Sequence, residues 1–200
     1  MRPSRVTWRA VFALAVAAAG AVPAGATTLI RASLEHLVAT NGTIVVGDVV
    51  DTDSHWNEEG TFILTDVRVA PREVLKGKLE NGEGELALTL LGGSVDGKTA
   101  LIVGGADLRP GKSYVLFVDD QPLPGVARAR TIRDHCQGVF EIVKGQRGLG
   151  SRAVSQAAGH PLLPDVSGQA DAAGGMEGFT LQALKDSIRK IAGEQAGPQR

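Results

Sequence analysis

The chain has a single cysteine, Cys136, in 200 residues. No internal disulfide can form, so any fold must hold by packing and hydrogen bonds alone. Aromatic residues are scarce at 4%, which leaves Val, Ile and Leu to build a core. An excess of one charge is also lacking: 21 Lys and Arg against 22 Asp and Glu give a net charge of −1. A nucleic-acid binder would carry a basic face, and that class is excluded. Close-set metal ligands are missing too. His36, His55, His135 and His160 are far apart in sequence and have no paired cysteines beside them, so neither a metal nor another cofactor is expected.

Long apolar runs are absent except at the N-terminus. Residues 11–21 follow Arg2, Arg5 and Arg9 and precede Ala24-Gly25-Ala26. A positive start, a short apolar run and a small-x-small site make a signal peptide over residues 1–26. Cleavage near Ala26 predicts an exported chain, periplasmic or extracellular, with no membrane attachment. An uncleaved anchor is the alternative, although spanning asks for about 18 or more apolar residues. What remains suits one domain.

What is present is glycine, 26 residues of it, together with β-branched runs. The stretch 61–77 pairs with the strand-like run 43–53 across a polar connection, 55–60. Asp66-Val67-Arg68-Val69 alternates wet and buried positions, as a strand does. Gly47 inside the first strand predicts a bulge or a sharp coil. Pro71 predicts an edge, a bulge or a break in the second. Further strands are expected at 85–91 and at 112–118, the latter the most hydrophobic and so central. Another is split between 126–132 and 138–143 by a kink at 134–137. Residues 92–97 and 119–125 read as loops, and residues 100–103 as a short apolar run.

Ser33 can cap a helix over 33–40 that Asn41-Gly42 ends. Asn41-Gly42-Thr43 also fits a glycosylation pattern, but the helix stop is favoured. From 146 to 178 the composition turns to Gly, Ala, Ser and Pro, predicting a mobile linker. An amphipathic helix over 179–193 follows, with Leu181, Leu184, Ile188 and Ile191 on one face. It either docks on its own core or binds a partner. Residues 194–200 read as a disordered tail.

The fold class is therefore all-β with flanking helices, a small antiparallel Greek-key barrel of the OB type over residues 27–145. Several segments carry a family resemblance: Ser33-Leu34-Glu35-x-Leu37-Val38, Ile44 through Val50, Trp56, Val74-Leu75-Lys76-Gly77, Gly92-Gly93, Gly111 through Phe117 and Gln137-Gly138-Val139-Phe140. In this order they resemble a group of exported bacterial proteins similar to the netrin-like, or tissue-inhibitor-of-metalloproteases-like, OB domain. The resemblance implies a zinc metalloprotease as a partner. Those inhibitors begin with a disulfide-held Cys-x-Cys whose amine clamps the protease zinc. This chain would begin Thr27-Thr28-Leu29, so the Thr27 amine is expected to need ordering before it can bind.

Reactive groupings are weak. His135 and Cys136 are adjacent and would point to opposite faces of an extended chain, which separates base from nucleophile. Asp51-x-Asp53 begins a calcium pattern that His55-Trp56 breaks. The leading expectation is a non-enzymatic, protein-binding module. It would act through His55, Trp56, Asn57 and Glu58, the Gly92-Gly93 loop and Thr27, with Trp56 either an exposed anchor or a plug in the barrel mouth. Inhibition of an exported zinc metalloprotease, and a hydrolase with an unrecognised site, are the alternatives.

Overall fold

The computed structural model describes residues 29–79, 84–145, 150–160, 162–163 and 179–196. The expected signal segment, Thr27 and, of the expected linker, residues 146–149, 161 and 164–178 lie outside the described residues. In chain order the elements are β1 (Leu29–Ile30), α1 (Leu34–Thr40), β2 (Thr43–Trp56), β3 (Ile63–Lys76), β4 (Leu86–Leu91), β5 (Gly93–Val95), β6 (Lys98–Ala100), β7 (Ser113–Leu123) and β8 (Val126–Thr131). After a 3-10 turn, His135–Gly138, come β9 (Val139–Val143) and β10 (Arg152–Ser155). A second 3-10 turn, Gln156–Gly159, leads to β11 (Leu162–Leu163), β12 (Phe179–Thr180) and α2 (Leu181–Ala196). The protein is mainly antiparallel β-sheet with two flanking helices.

The main sheet runs β12-β10-β9-β7-β2-β3-β4, with β8 also paired to β7. It curls far enough to bring β4 beside β8. Among the described residues no ladder joins those two strands, so the expected closed barrel is open along that seam. β7 is central as expected, flanked by β2 and β9.

Both faces of β2 and β7 are covered, which is why they read as continuous apolar runs. Ile44, Val46, Val115 and Phe117 point to a core roofed by α1 and α2, while Val45, Val49, Tyr114, Leu116 and Val118 point to the shell interior. Phe117 and Phe140 pack at 5.8 Å between ring centroids. The C-terminal helix docks: Leu184 and Ile188 are fully buried against this first core. Glu73 on β3 pairs with Lys185 at 2.6 Å and with Arg189.

Gly47 and Pro71, two separate irregularities in the sequence, face each other across the β2–β3 ladder, and the register shifts beside them. Pro71 does not break β3, which runs on to Lys76. A Cβ on Gly47 would lie 2.6 Å from Val69 Cγ1 and 2.9 Å from the Ala70 carbonyl oxygen. Only glycine lets the two backbones approach this closely. A further shift leaves Val50 outside the pairing and exposed. Together these bulges coil one 14-residue strand so that it serves both halves of the sheet.

Several expected boundaries are corrected. β7 continues through Pro122 to Leu123, so 119–125 is strand and tight turn, with a register shift beside the proline. Residues 92–97, expected to be a flexible turn, belong mainly to the β5–β6 hairpin around Asp96 and Gly97. Arg152–Ser155, placed in the linker, pair with β9. Residues 194–196, placed in the tail, extend α2. Asn41 is fully buried and donates through Nδ2 to Leu37 O at 2.9 Å and to Asp134 Oδ2 at 2.9 Å. That leaves no room for a glycan and supports the helix stop.

Two stability tests follow from this packing. Gly47→Ala should cost about 1–3 kcal/mol, the range for overpacking a tight site, read as a lowered urea midpoint with an unchanged slope. Leu184→Ala should cost about 2–5 kcal/mol; an unchanged midpoint would mean that α2 contributes nothing to the core.

Candidate functional site

The far end of the β2–β3 hairpin carries four of the expected binding residues, and the structure separates them. His55 and Trp56 lie within β2 rather than in a loop. As neighbours on a strand they face opposite sides. Asn57 is 5% exposed and builds the turn. Its Oδ1 accepts from Thr61 N at 2.8 Å and Phe62 N at 3.0 Å, and its Nδ2 donates to Thr61 Oγ1 at 3.1 Å. Those bonds tie the amide into the turn, so Asn57 shapes the hairpin. Glu58 is exposed at the tip.

Trp56 is half-buried, neither an exposed anchor nor a full plug, and the Lys98 ammonium sits 5.5 Å from its ring centroid. The His55 ring donates through Nδ1 to the Trp56 carbonyl at 3.0 Å, and its Nε2 lies 3.2 Å from Asp66 Oδ2. The carbonyl contact, aided by the Asp66 carboxylate and opposed by partial burial, holds the imidazolium above its ordinary value of 6.5.

Thr52, Ser54 and Trp56 share one face of β2, opposite Val67, Thr65 and Ile63 of β3. Val67 belongs to the shell interior, so Ser54 and Thr65 stand where that core gives way to hydroxyls. β5 and β6 fold over this mouth. Gly92 and Gly93 make the approach possible: both have positive φ, and a Cβ on Gly93 would strike the Thr65 and Ser54 hydroxyls. The result is a cleft of about 330 Å³ between the hairpin, the ends of β2 to β4 and the segment 101–108.

That segment is the feature the sequence did not reveal. Leu101 and Val103, expected in a short apolar run, are 84% and 66% exposed. The loop bearing them is nonetheless fastened along its length. Gly105 N donates to Ile102 O, and Cys136 N to Gly104 O, each at 2.9 Å. The Gln156 amide brackets Asp107, accepting from its N–H at 3.0 Å and donating to its carbonyl at 2.5 Å. Leu108 is buried, and Arg109 N donates to Tyr114 Oη at 3.1 Å. The sequence signal was present: two alternating apolar residues, then Gly104-Gly105, with no second strand to pair them.

The N-terminal strand meets this loop. Leu29 Cδ1 lies 2.6 Å from where a Cβ on Gly104 would be, so its side chain fills space that only glycine leaves. The Gln137 amide donates to Ile30 O at 2.9 Å and accepts from Ala32 N at 2.7 Å. Arg31 N donates to Leu163 O at 2.9 Å. From Leu29 onward this end is tied down without a disulfide; Thr27, whose amine is expected to need ordering, lies outside the described residues.

Cys136 is 1% exposed, and burial pushes its thiol up, which keeps it protonated and unreactive. His135 is exposed beside it. Among the described residues no group of three or more His, Cys, Asp or Glu could hold a metal ion. Among them, too, no helix is long and apolar enough to cross a membrane. No family model, curated protein or solved structure matches the chain.

The His55 environment sets a pH test. A raised folded value means that its contribution to stability is fully present below pH 6.5 and is lost as pH rises through the folded midpoint. A histidine NMR titration should place the His55 midpoint above 6.5. Asp66→Asn should lower that midpoint only in part, because the Trp56 carbonyl remains. A midpoint at or below the ordinary value would refute the hydrogen-bond assignment.

Proposed function

We propose that this chain is an exported, non-enzymatic protein-binding module of the netrin-like OB type. Its contact ridge is formed by the loop 101–108 and the N-terminal strand. The observation that carries the reading is a pair of large apolar side chains, Leu101 and Val103, facing water on a loop fastened by its own hydrogen bonds. An apolar group on a mobile loop loses entropy when it is captured; one already held in place loses little. Exposed aliphatic side chains on a rigid support suit an apolar pocket on a partner protein. Ile30 and Leu163, paired in the small parallel sheet, add exposed apolar surface.

A second reading, inhibition of an exported zinc metalloprotease, draws support from one observation. The strand two residues after Thr27 packs on Gly104, within the loop that carries Leu101 and Val103. A chain cleaved before Thr27 would begin two residues ahead of that packed strand.

Capture from the exported fraction of its own cells tests the first reading. The wild-type chain should retain a partner that the double variant Leu101→Asp, Val103→Asp loses by at least about tenfold in affinity. The variant should keep the wild-type urea midpoint, because both side chains lie in water. Equal capture by both forms would overturn the ridge. For the second reading, the chain beginning at Thr27 should inhibit a zinc endopeptidase, and the same chain with one extra N-terminal residue should not. Failure of both forms removes inhibition while leaving the ridge untouched.

A further inference from the structure

The cleft beneath the β5–β6 hairpin lies next to the ridge, but its chemistry differs. We infer that this cleft binds a neutral saccharide of one or two rings. Its volume of about 330 Å³ is at the small end of ligand sites, which run from roughly 300 to 1,000 Å³. Five hydroxyl side chains line it, those of Thr52, Ser54, Thr65, Ser94 and Thr99. The charged residue lining it is Asp107, whose carboxylate is engaged by the Arg109 guanidinium at 2.9 Å and 2.5 Å. The wall is therefore close to neutral, which disfavours a ligand held by charge.

Proton bookkeeping shows what the wall offers. The Thr65 hydroxyl hydrogen goes to the Gly92 carbonyl at 2.7 Å. The 2.8 Å contact between Ser54 and Thr65 must then be donated by Ser54. That leaves the Ser54 oxygen with free lone pairs and no free hydrogen. Ser94 and Thr99, 2.8 Å apart, use one hydroxyl hydrogen between them and keep the other. The mouth therefore presents acceptors at Ser54 and a spare donor at the hairpin. A sugar hydroxyl, which both donates and accepts, matches that mixture.

The apolar side of the cleft, from Leu90, Ala100 and Ile102, suits the C–H face of a pyranose ring. Trp56 lies on the same face of β2 two residues beyond Ser54, with the Lys98 ammonium over its ring. An extended peptide fits less well, because it binds chiefly through free backbone groups. Here Gly92 N–H donates to Ile63 O, Gly92 O accepts from Thr65, and Gly105 N–H donates to Ile102 O. The facing edges of β5 and β6 are paired with each other.

The test is a titration of the isotope-labelled full chain with maltose, cellobiose and diacetylchitobiose, followed by amide NMR shifts. At least one should give saturable shifts centred on Ser54, Thr65, Gly93, Ser94, Thr99 and the Trp56 indole N–H. Ser54→Val and Thr99→Val should each weaken that response by about tenfold with an unchanged urea midpoint. Val103→Asp alone, at a ridge residue that does not line the cleft, should leave it intact, which separates this site from the protein-binding ridge. No saturable shift with any of the three, shifts centred elsewhere, or a response indifferent to both valine variants would overturn the inference. So would a response to a capped tri-alanine peptide with none to the sugars, which would assign the cleft to polypeptide.

Discussion

The structure depends on one steric fact, that the backbones of β2 and β3 touch where Gly47 meets Pro71. Val69 and the Ala70 carbonyl occupy the space a side chain at 47 would need. Pro71 brings no backbone N–H, so the residue that cannot donate to a ladder sits where the register already slips. The strand turns at this point. Before it, Ile44 to Val46 are held between β3 and β7 with both faces covered. Beyond it, β2 and β3 project together with β4, and their outer positions, such as Asp66 and Arg68, reach water. The cleft and its hydroxyls lie on this second arm. Without the coil the mouth would not exist, because the strand would continue flat between its neighbours.

A fold with one buried thiol needs other fastenings, and here they are mostly apolar. Two cores share the strands between them, and α1 and α2 roof one of them. Burying a side chain such as Leu184 or Ile188 contributes about 1.5–3 kcal/mol. The exposed pairs Arg72–Asp48 and Arg68–Asp51 contribute little, because water screens them. The charges therefore tune a fold that packing decides. The polar contact with the largest consequence is a neutral one. The Gln137 amide, itself buried, satisfies two backbone groups of the N-terminal strand more than a hundred positions away in sequence. A disulfide would pin that end covalently; an amide fork pins it through two hydrogen bonds, each worth about 1 kcal/mol net.

Features with a local cause were legible in the sequence. Ser33 caps α1 because its hydroxyl accepts from His36 N three residues on. The split last strand shows in the break between Thr131 and Val139. The stripe of Leu184 and Ile188 shows in its helical spacing. Features with a distant cause were not legible. Gly47 and Pro71 each signalled an irregularity, but nothing in one dimension said they were the same one. Arg152–Ser155 looked like linker because four residues carry no period, and only β9 makes them a strand. Asn57 looked like a contact residue because loops with Asn often are. Its burial under the turn, against Gly125, depends on the β7–β8 hairpin arriving from elsewhere.

The same reasoning explains why ridge and cleft sit side by side. Segment 101–108 lines the cleft with Leu101, Ile102 and Leu108, and its Leu101 and Val103 also face water, so Leu101 belongs to both surfaces. Fastening that segment for one purpose therefore fixes it for the other. Gln156 and the Cys136 N–H hold it from the β9–β10 side, and Leu29 holds it from the N-terminal side. A ligand filling the cleft would touch Leu101 and Ile102, and a partner on the ridge would touch Leu101 and Val103. Two sites that share a backbone held at both ends are coupled only as far as that backbone can yield. Its bonding leaves little room to yield, so any rivalry between saccharide and partner should be confined to the side chain they share, Leu101.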